Sequence, residues 1–213
     1  MAEAAPKRRR AGRMASAGAI MDAAATLFLR NGYLGTSMDE VAALARVSKQ
    51  TVYTHFADKE RLFTELVLSN TAPVETFVDA IAAALHDTVD VEKDLGELAR
   101  RYLGMVTQPH ALQLRRLVVG EAGRFPELAH TYYERVPERV IAALAREFTR
   151  LTERGLLDVD DPRLAADHFA WLIIGAPMDR AMFRGGNGVA DPAEFDRIAA
   201  AGVQAFLSVY AAR

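Results

Sequence analysis

The chain has 213 residues, of which 51% are hydrophobic, and a formal net charge of -2, so it can bury the core of one large or two small domains. It has no cysteine, which excludes a disulfide scaffold, a thiolate metal site and a cysteine nucleophile. The longest apolar run, residues 169–178, includes a glycine and a proline and is far shorter than the roughly 20 residues of a membrane-spanning helix. We therefore expect no membrane segment. Asp22 interrupts the Ala-rich run that could mimic a signal peptide, so we also expect a cytoplasmic protein.

Basic residues are concentrated at the start of the chain. Residues 1–68 carry 10 Lys or Arg against 7 Asp or Glu, whereas residues 69–213 carry 16 against 21. Most of the excess lies in residues 1–15, which show no apolar period and which we predict to be a disordered basic arm. The arm could enter a minor groove beside a DNA-binding helix or act only as a solubilising tail, and the sequence leaves both possibilities open.

A first helix is predicted from about Ser16 to Arg30, because apolar residues recur at helical spacing and Asn31-Gly32 forms a C-terminal cap. This helix would support a DNA-binding domain over residues 16–62, followed by a second domain over residues 63–213.

The next segment predicts two short helices that lie close together. Ser37 and Glu40 form a capping box for the first helix, and Ser48 is an N-cap residue for the second. Only residues 46–48 separate the two helices, so they must cross steeply, as in a helix-turn-helix.

The second of these helices is apolar on one face and polar on the other. Val52 and Phe56 face inward, while the polar side chains project together, as they do from a helix that reads the major groove. The competing interpretation is an ordinary surface helix. We predict DNA contacts from these residues and from the adjoining helix starts: Thr36, Ser37, Ser48, Lys49, Gln50, Thr51, Tyr53, Thr54, His55 and Lys59.

The segment Val-Ser-Lys-Gln-Thr-Val-Tyr-Thr-His-Phe (residues 47–56), with Asp-Lys-Glu after it, closely resembles the DNA-binding domain of the tetracycline-repressor family of bacterial transcriptional regulators. A weaker resemblance, carried by residues 114–122 and 125–128, links the rest of the chain to the multidrug-efflux-repressor branch. Many family members have glycine in the turn where this chain has Arg46. Either this turn is of another type, or Arg46 adopts a strained conformation and is held by a phosphate.

A long fourth helix is predicted from Lys59 to about His86. Pro73 removes one backbone hydrogen bond and therefore imposes a kink or a break, which could be a hinge or a static feature. Further helices are predicted over residues 92–107, 109–121, 126–154, 162–184 and 192–211, with Pro137 inside the longest. The fold class is thus all-α: a three-helix head that contains the helix-turn-helix, and a C-terminal bundle of about six helices.

No arrangement of residues predicts an enzyme. The sequence contains no phosphate loop, nucleophile elbow or zinc-protease motif. Glu127 and His130 form a Glu-x-x-His pair, but a di-iron bundle needs two such pairs and two further glutamates. We expect no cofactor and no metal.

The resemblance implies that the second domain binds a small-molecule effector. Bulky and adaptable side chains on helices that face one another are typical of apolar ligand sites, although such stripes can also be simple core. Glu121 is distinctive because it follows an apolar run and needs water or a cation, and Arg115, Arg116 or Arg124 could supply that cation. The candidate effector-binding residues are Phe77, Tyr102, Met105, Val106, Leu117, Val118, Glu121, Tyr133 and Trp171.

The last two helices look suited to self-association. Apolar residues between Phe169 and Phe183 cover more than one face, so one stripe can pack inside while another remains available to a partner. In the family that this chain resembles, the corresponding helices form a homodimer, whose two-fold symmetry suits a palindromic DNA operator. We therefore predict a ligand-responsive repressor that a small apolar effector releases from its operator. The alternative is a helical protein that binds a small molecule or a metal and does not bind DNA.

Overall fold

The computed structural model describes residues 5–69, 72–184 and 192–212, and side chains from residue 16 onward. These residues form eleven helices: α1 (Ala5–Asn31), α2 (Met38–Leu44), α3 (Lys49–His55), α4 (Lys59–Ser69), α5 (Ala72–Leu85), α6 (Val91–Val106), α7 (Pro109–Glu121), α8 (Pro126–Arg135), α9 (Pro137–Glu153), α10 (Pro162–Arg184) and α11 (Pro192–Tyr210). An isolated bridge between Leu157 and Ala211 is the only β pairing in the described part of the chain. The all-α prediction is confirmed. None of the described helices is long and apolar enough to cross a membrane.

The chain divides into two compact units. The first, which we call the head unit, comprises residues 1–70 together with residues 117–129, the end of α7 and the start of α8. The second, the bundle unit, comprises residues 71–116 and 130–213. The chain therefore passes from one unit to the other three times.

The core of the head unit contains a cluster of four aromatic rings. The Phe63 ring lies 5.2 Å from that of Phe28 and 5.1 Å from that of Tyr33, and Phe125 lies 4.7 Å from Tyr33. Phe63 is completely buried by these contacts, which is why all of α4 belongs to the head unit and the division falls after residue 70. The predicted boundary after residue 62 separated Phe63 from the rings that it packs against.

The bundle unit has one continuous core. Helix α9 packs against α5 and α10, and α11 packs against α6 and α10. The rings of Phe148, Phe169 and Phe206 meet at its centre, with centroids 5.1–5.9 Å apart. Helices α10 and α11 approach closely at Gly202, where an added Cβ would lie 2.4 Å from Cδ1 of Ile173. A larger residue at this position would require the Ile173 side chain to move.

Two prolines that were predicted to lie within long helices lie in the first turn of a described helix. Pro137 is the first residue of α9, so the helix predicted over residues 126–154 is two helices, α8 and α9. Pro73 is the second residue of α5, and the kink or break predicted there falls beside residues 70 and 71, which lie outside the described part. Because proline lacks the N–H group and has a fixed φ, it fits a first turn better than a helix interior. The described part of the chain therefore has seven helices after α4 instead of about six.

The first helix begins earlier than predicted. The sequence analysis assigned residues 1–15 to a disordered arm, but α1 begins at Ala5. Residues 5–15 are rich in Ala, Arg and Lys, which have high helix propensity, so the basic segment continues the helix that follows it. The prediction for residues 1–4 lies outside the described part of the chain.

Candidate nucleic-acid interface

Helix α2 begins with the capping box that the sequence predicts. The Ser37 hydroxyl accepts a hydrogen bond from the Glu40 backbone N–H at 3.2 Å, and the Ser37 N–H donates to Glu40 Oε2 at 2.9 Å. The hydrogen bonds that Glu40 Oε2 accepts from the Ser37 hydroxyl, at 2.7 Å, and from the Ser37 N–H hold the pKa of Glu40 below its usual value. Two backbone donors at the start of α2 are thus satisfied, and the entry of the chain into the helix-turn-helix is defined.

The turn after α2 is a Schellman motif with arginine at its left-handed position. The N–H of Arg46 donates to the Ala43 carbonyl at 3.2 Å, and the N–H of Val47 donates to the Ala42 carbonyl at 3.1 Å. Arg46 has φ +56°, in the region that favours glycine. Of the two possibilities that the sequence left open, the structure shows the glycine-type turn with Arg46 in the strained position.

Helix α3 begins at its predicted cap. Ser48 Oγ accepts a hydrogen bond from the Thr51 backbone N–H at 3.1 Å, and Val52 and Phe56 are buried as expected. Lys49, Gln50, Tyr53 and Thr54 are exposed, and Thr51 and His55 are half-buried. Most of the predicted polar face is therefore open to a partner.

One exposed ion pair connects the two helices of the motif. Lys49 Nζ, at the first residue of α3, lies 2.5 Å from Asp39 Oδ2, near the start of α2. The sequence analysis did not single out Asp39. The sequence does contain a hint of this pair, an acidic residue in the first turn of one helix and a lysine at the start of the next. Only the way in which the two helices cross shows that the two side chains meet.

Two of the predicted DNA-binding side chains have internal partners. Thr36 is buried, and its hydroxyl donates to the Gly32 carbonyl at 2.9 Å, so its side chain is not open to a partner. Lys59 Nζ donates to the carbonyls of Tyr33 and Thr36, both at 2.9 Å, and lies 4.3 Å from the centroid of the Tyr33 ring. The turn that joins α1 to α2 leaves these carbonyls without helical partners, and Lys59 supplies the donor.

Residues of the turn between α7 and α8 complete the surroundings of Tyr33. Besides the Phe125 ring, the Arg124 guanidinium lies 5.8 Å from the Tyr33 centroid. Burial raises the pKa of Tyr33, and so do the neighbouring carboxylates Glu60 and Asp58. The sequence analysis missed this cluster because Phe125 lies far along the chain from the other rings.

The predicted effector-binding residues do not form one group. Leu117, Val118 and Glu121 belong to the head unit, where Leu117 and Val118 are buried and Glu121 pairs with Arg124 at 3.3 Å. Helix α7 continues beyond residue 116, so its last residues belong to the head unit, whereas the other candidates belong to the bundle unit. The pairing with Arg124 is the alternative that the sequence suggested for Glu121.

The other candidates lie in the bundle unit, where only some are inside. Tyr133 and Trp171 are 52% and 58% exposed, which is unlike the lining of an enclosed site. Phe77 and Tyr102 are buried and stacked, with centroids 5.0 Å apart, and Met105 and Val106 are partly buried against the same core. A depression of about 350 Å³ between α5 and α6 contains none of the predicted residues.

The Glu-x-x-His pair does not form a metal centre in the described part of the chain. His130 Nε2 lies 3.3 Å from Glu134 Oε1, within the exposed end of α8. Among the described residues there is no group of three or more His, Cys, Asp or Glu that could hold a metal ion.

Two protein-family models match the chain. Residues 20–66 match the model of bacterial regulatory proteins of the tetR family, and residues 93–212 match the C-terminal domain of AefR-like transcriptional repressors. The chain belongs to the TetR family. Its members are transcriptional regulators and not enzymes, in agreement with the sequence prediction.

Similar solved structures cover nearly the whole chain of this TetR-family protein. A TetR-family transcriptional regulator from Mesorhizobium loti is 42% identical, with a TM-score of 0.85, over 93% of this chain and 98% of that one. The flavonoid-responsive regulator FrrA is 31% identical, with a TM-score of 0.72, over 93% of this chain and 98% of that one.

Matches to curated relatives are shorter. The transcriptional activator FasR from Mycolicibacterium smegmatis is 30% identical over 47% of this chain and 44% of its own length. The regulator QacR from Staphylococcus aureus is 42% identical over 22% of this chain and 26% of its own length. The chain thus spans less than half the length of these curated relatives.

Proposed function

We propose that this protein is a homodimeric transcriptional repressor that binds a palindromic operator through α3 and is released from it by a small apolar effector. The observation that carries this proposal is the pair of capped helices joined by a tight turn, with an exposed polar face on the second helix. A short helix presented in this way fits the major groove. The repressor assignment follows the C-terminal family model, although the relative FasR is named an activator.

The residues of α3 have different roles in this proposal. Lys49, Gln50 and Thr51 approach base edges, whereas Tyr53 and His55 contact phosphates. Ser37 and Ser48 act through the helix starts that they cap, since their hydroxyls already bind Glu40 and Thr51.

The dimer interface that we propose is the outer face of α10 and α11. Trp171, Leu172 and Phe183 of α10 and Val209 of α11 are 47–85% exposed. Such a concentration of exposed apolar side chains on neighbouring helices is typical of a protein interface. A two-fold pair of these helices would place two copies of α3 on two half-sites.

The effector site that we propose lies in the bundle unit around Phe77 and Tyr102. Tyr102 is buried in the core of this unit. Arg115 is half-buried and forms no ion pair or hydrogen bond within the described part. Burial raises the pKa of Tyr102 and of Tyr132, and the positive charge of Arg115 lowers both. A planar aromatic molecule with a hydroxyl or acidic group would suit these side chains, as a flavonoid would.

DNA binding can be tested without knowledge of the operator. We expect the full-length protein to select a palindromic sequence from a pool of random duplexes, and a flavonoid or another planar phenol to release the selected duplex in a mobility shift. Lys49→Ala should cost about 1–3 kcal/mol on the selected duplex and much less on a scrambled duplex, because a base contact is lost.

Two results would count against the proposal. Equal losses on the selected and scrambled duplexes would show that Lys49 does not contact bases. Failure of the unmodified protein to enrich any sequence would contradict DNA-directed function and favour the alternative of a helical ligand-binding protein.

A further inference from the structure

The turn between α2 and α3 contains a backbone conformation that is unfavourable for its residue. Arg46, at φ +56°, is the only non-glycine residue with positive φ in the described part of the chain. Glycine occupies the two other positive-φ positions described, residues 32 and 155. In a left-handed conformation the Cβ atom approaches the following carbonyl oxygen, and glycine avoids this contact. An arginine here must be retained for a property of its side chain or be tolerated at a cost.

The side chain of Arg46 is uncommitted. Residues 38–55, all of them described, contain two Lys or Arg residues, Arg46 and Lys49. The Lys49 ammonium is paired with Asp39. Arg46 is exposed, and its guanidinium has no ion pair or hydrogen bond within the described part of the chain. The Lys59 ammonium, just beyond this segment, binds two backbone carbonyls.

The location of Arg46 suits a contact with the DNA backbone. It lies two residues before Ser48, the residue that caps α3. When a short helix enters the major groove, the chain immediately before it passes beside the phosphates that border the groove. The planar guanidinium can donate two parallel hydrogen bonds to phosphodiester oxygens, which lysine cannot do.

We propose that Arg46 is the principal phosphate-binding side chain of this helix-turn-helix, and that its contact with DNA compensates for its unfavourable backbone conformation. The contact is independent of base sequence, so base readout rests on the side chains of α3. This inference rests on the proposed DNA-binding function.

The test is to replace Arg46 with residues that separate backbone conformation from charge. Arg46→Gly removes the strain and the charge. The melting temperature should be at least that of the unmodified protein and should rise by as much as about 2–4 °C. Affinity should fall on the order of threefold to tenfold on the selected and scrambled duplexes alike, with the salt slope smaller by about 0.9 for each protomer bound. Arg46→Asn, which tolerates the left-handed conformation without charge, should behave in the same way.

Two further variants serve as controls. Arg46→Lys keeps the charge and should retain most of the salt slope. Arg30→Ala removes an exposed arginine in the last turn of α1, and should change affinity much less than Arg46→Gly does. If both Arg30→Ala and Arg46→Gly lowered affinity equally, net charge and not a placed contact would be responsible, and the inference would be overturned.

The inference can fail separately from the proposed function. If the unmodified protein selects an operator but Arg46→Gly and Arg46→Asn keep its affinity and salt slope, Arg46 does not bind phosphate and the DNA-binding function stands. A loss confined to the selected duplex would assign Arg46 to base readout instead. A lower melting temperature in both variants would show that the turn favours arginine, which would also overturn the inference. Failure of the unmodified protein to select any sequence would overturn both proposals.

Discussion

Lys59 is the first residue of α4, and its ammonium is surrounded by groups of the head unit. Its place at the start of a helix after the helix-turn-helix predicts a phosphate contact. In the structure it joins the first turn of α4 to the chain between α1 and α2 by two hydrogen bonds of 2.9 Å and lies over the Tyr33 ring. A sequence pattern places the charge at the correct helix end but does not show which carbonyls are left without partners nearby.

The stability of the head unit should therefore depend on Lys59. We expect Lys59→Met to destabilise the protein by about 2 kcal/mol, because two partly buried carbonyls lose a charged donor. Thermal unfolding of the full-length protein would measure this effect. Arg61→Met is the matched control, since Arg61 makes an exposed pair with Glu65 whose loss should cost well under about 1 kcal/mol. If Lys59→Met left the stability unchanged and weakened DNA binding, Lys59 would act as the phosphate contact that the sequence predicts.

At the scale of helices, sequence patterns within a few residues predicted the structure well, whereas contacts between distant parts of the chain could not be predicted. Ser37 and Ser48 cap α2 and α3 as their sequence context predicts, because a cap is made within three residues. Pro73 and Pro137 were each placed inside a longer helix, although proline favours the first turn. The position of Phe125 beside Tyr33 depends on how the whole chain folds, so no local pattern could indicate it.

The exposed apolar face of α10 and α11 leads to a prediction about assembly. We expect Leu172→Glu to shift the protein from dimer to monomer, because a charge in an apolar interface loses its hydration without gaining a partner. Light scattering during size-exclusion chromatography would measure the mass. Val89→Glu is the matched control, because Val89 is 94% exposed outside these two helices. If Leu172→Glu and Val89→Glu had the same mass as the unmodified protein, the interface would lie elsewhere.

For the whole molecule, several ion pairs connect helices that are distant in sequence, and they lead to a prediction about acid. Arg163 Nη2 lies 2.8 Å from Glu138 Oε2 and holds the pKa of that carboxyl below its usual value. The hydrogen bonds from Arg139 lower the pKa of Glu75 in the same way. A group whose pKa is lower in the folded state stabilises the protein above its unfolded pKa, and the stabilisation is lost as pH falls through the folded pKa.

We therefore expect Glu138→Gln to lower the melting temperature at pH 7, and the difference from the unmodified protein to shrink as the pH falls through the lowered pKa of this carboxyl. Melting curves between pH 3 and pH 7 would show this convergence. Glu97 is an exposed carboxylate of α6 with no ion pair in the described part. Glu97→Gln should therefore have the same melting temperature as the unmodified protein at every pH. A difference for Glu138→Gln that is the same at every pH would mean that the ion pair is not its cause.

The return of residues 117–129 to the head unit has a consequence for the synthesis of the protein on the ribosome. The helix-turn-helix is complete in sequence by residue 55, but one ring of the core beneath it, Phe125, is translated much later. At about 5–20 residues per second, the ribosome needs several seconds to translate the chain between residues 70 and 129. During that interval the head unit has an unfilled place beside Tyr33 and Phe63. A nascent or truncated chain that ends before Phe125 should therefore expose apolar rings, and we expect chaperones to bind it more readily than it binds DNA. The core of the head unit is thus complete only after synthesis of the bundle unit has begun.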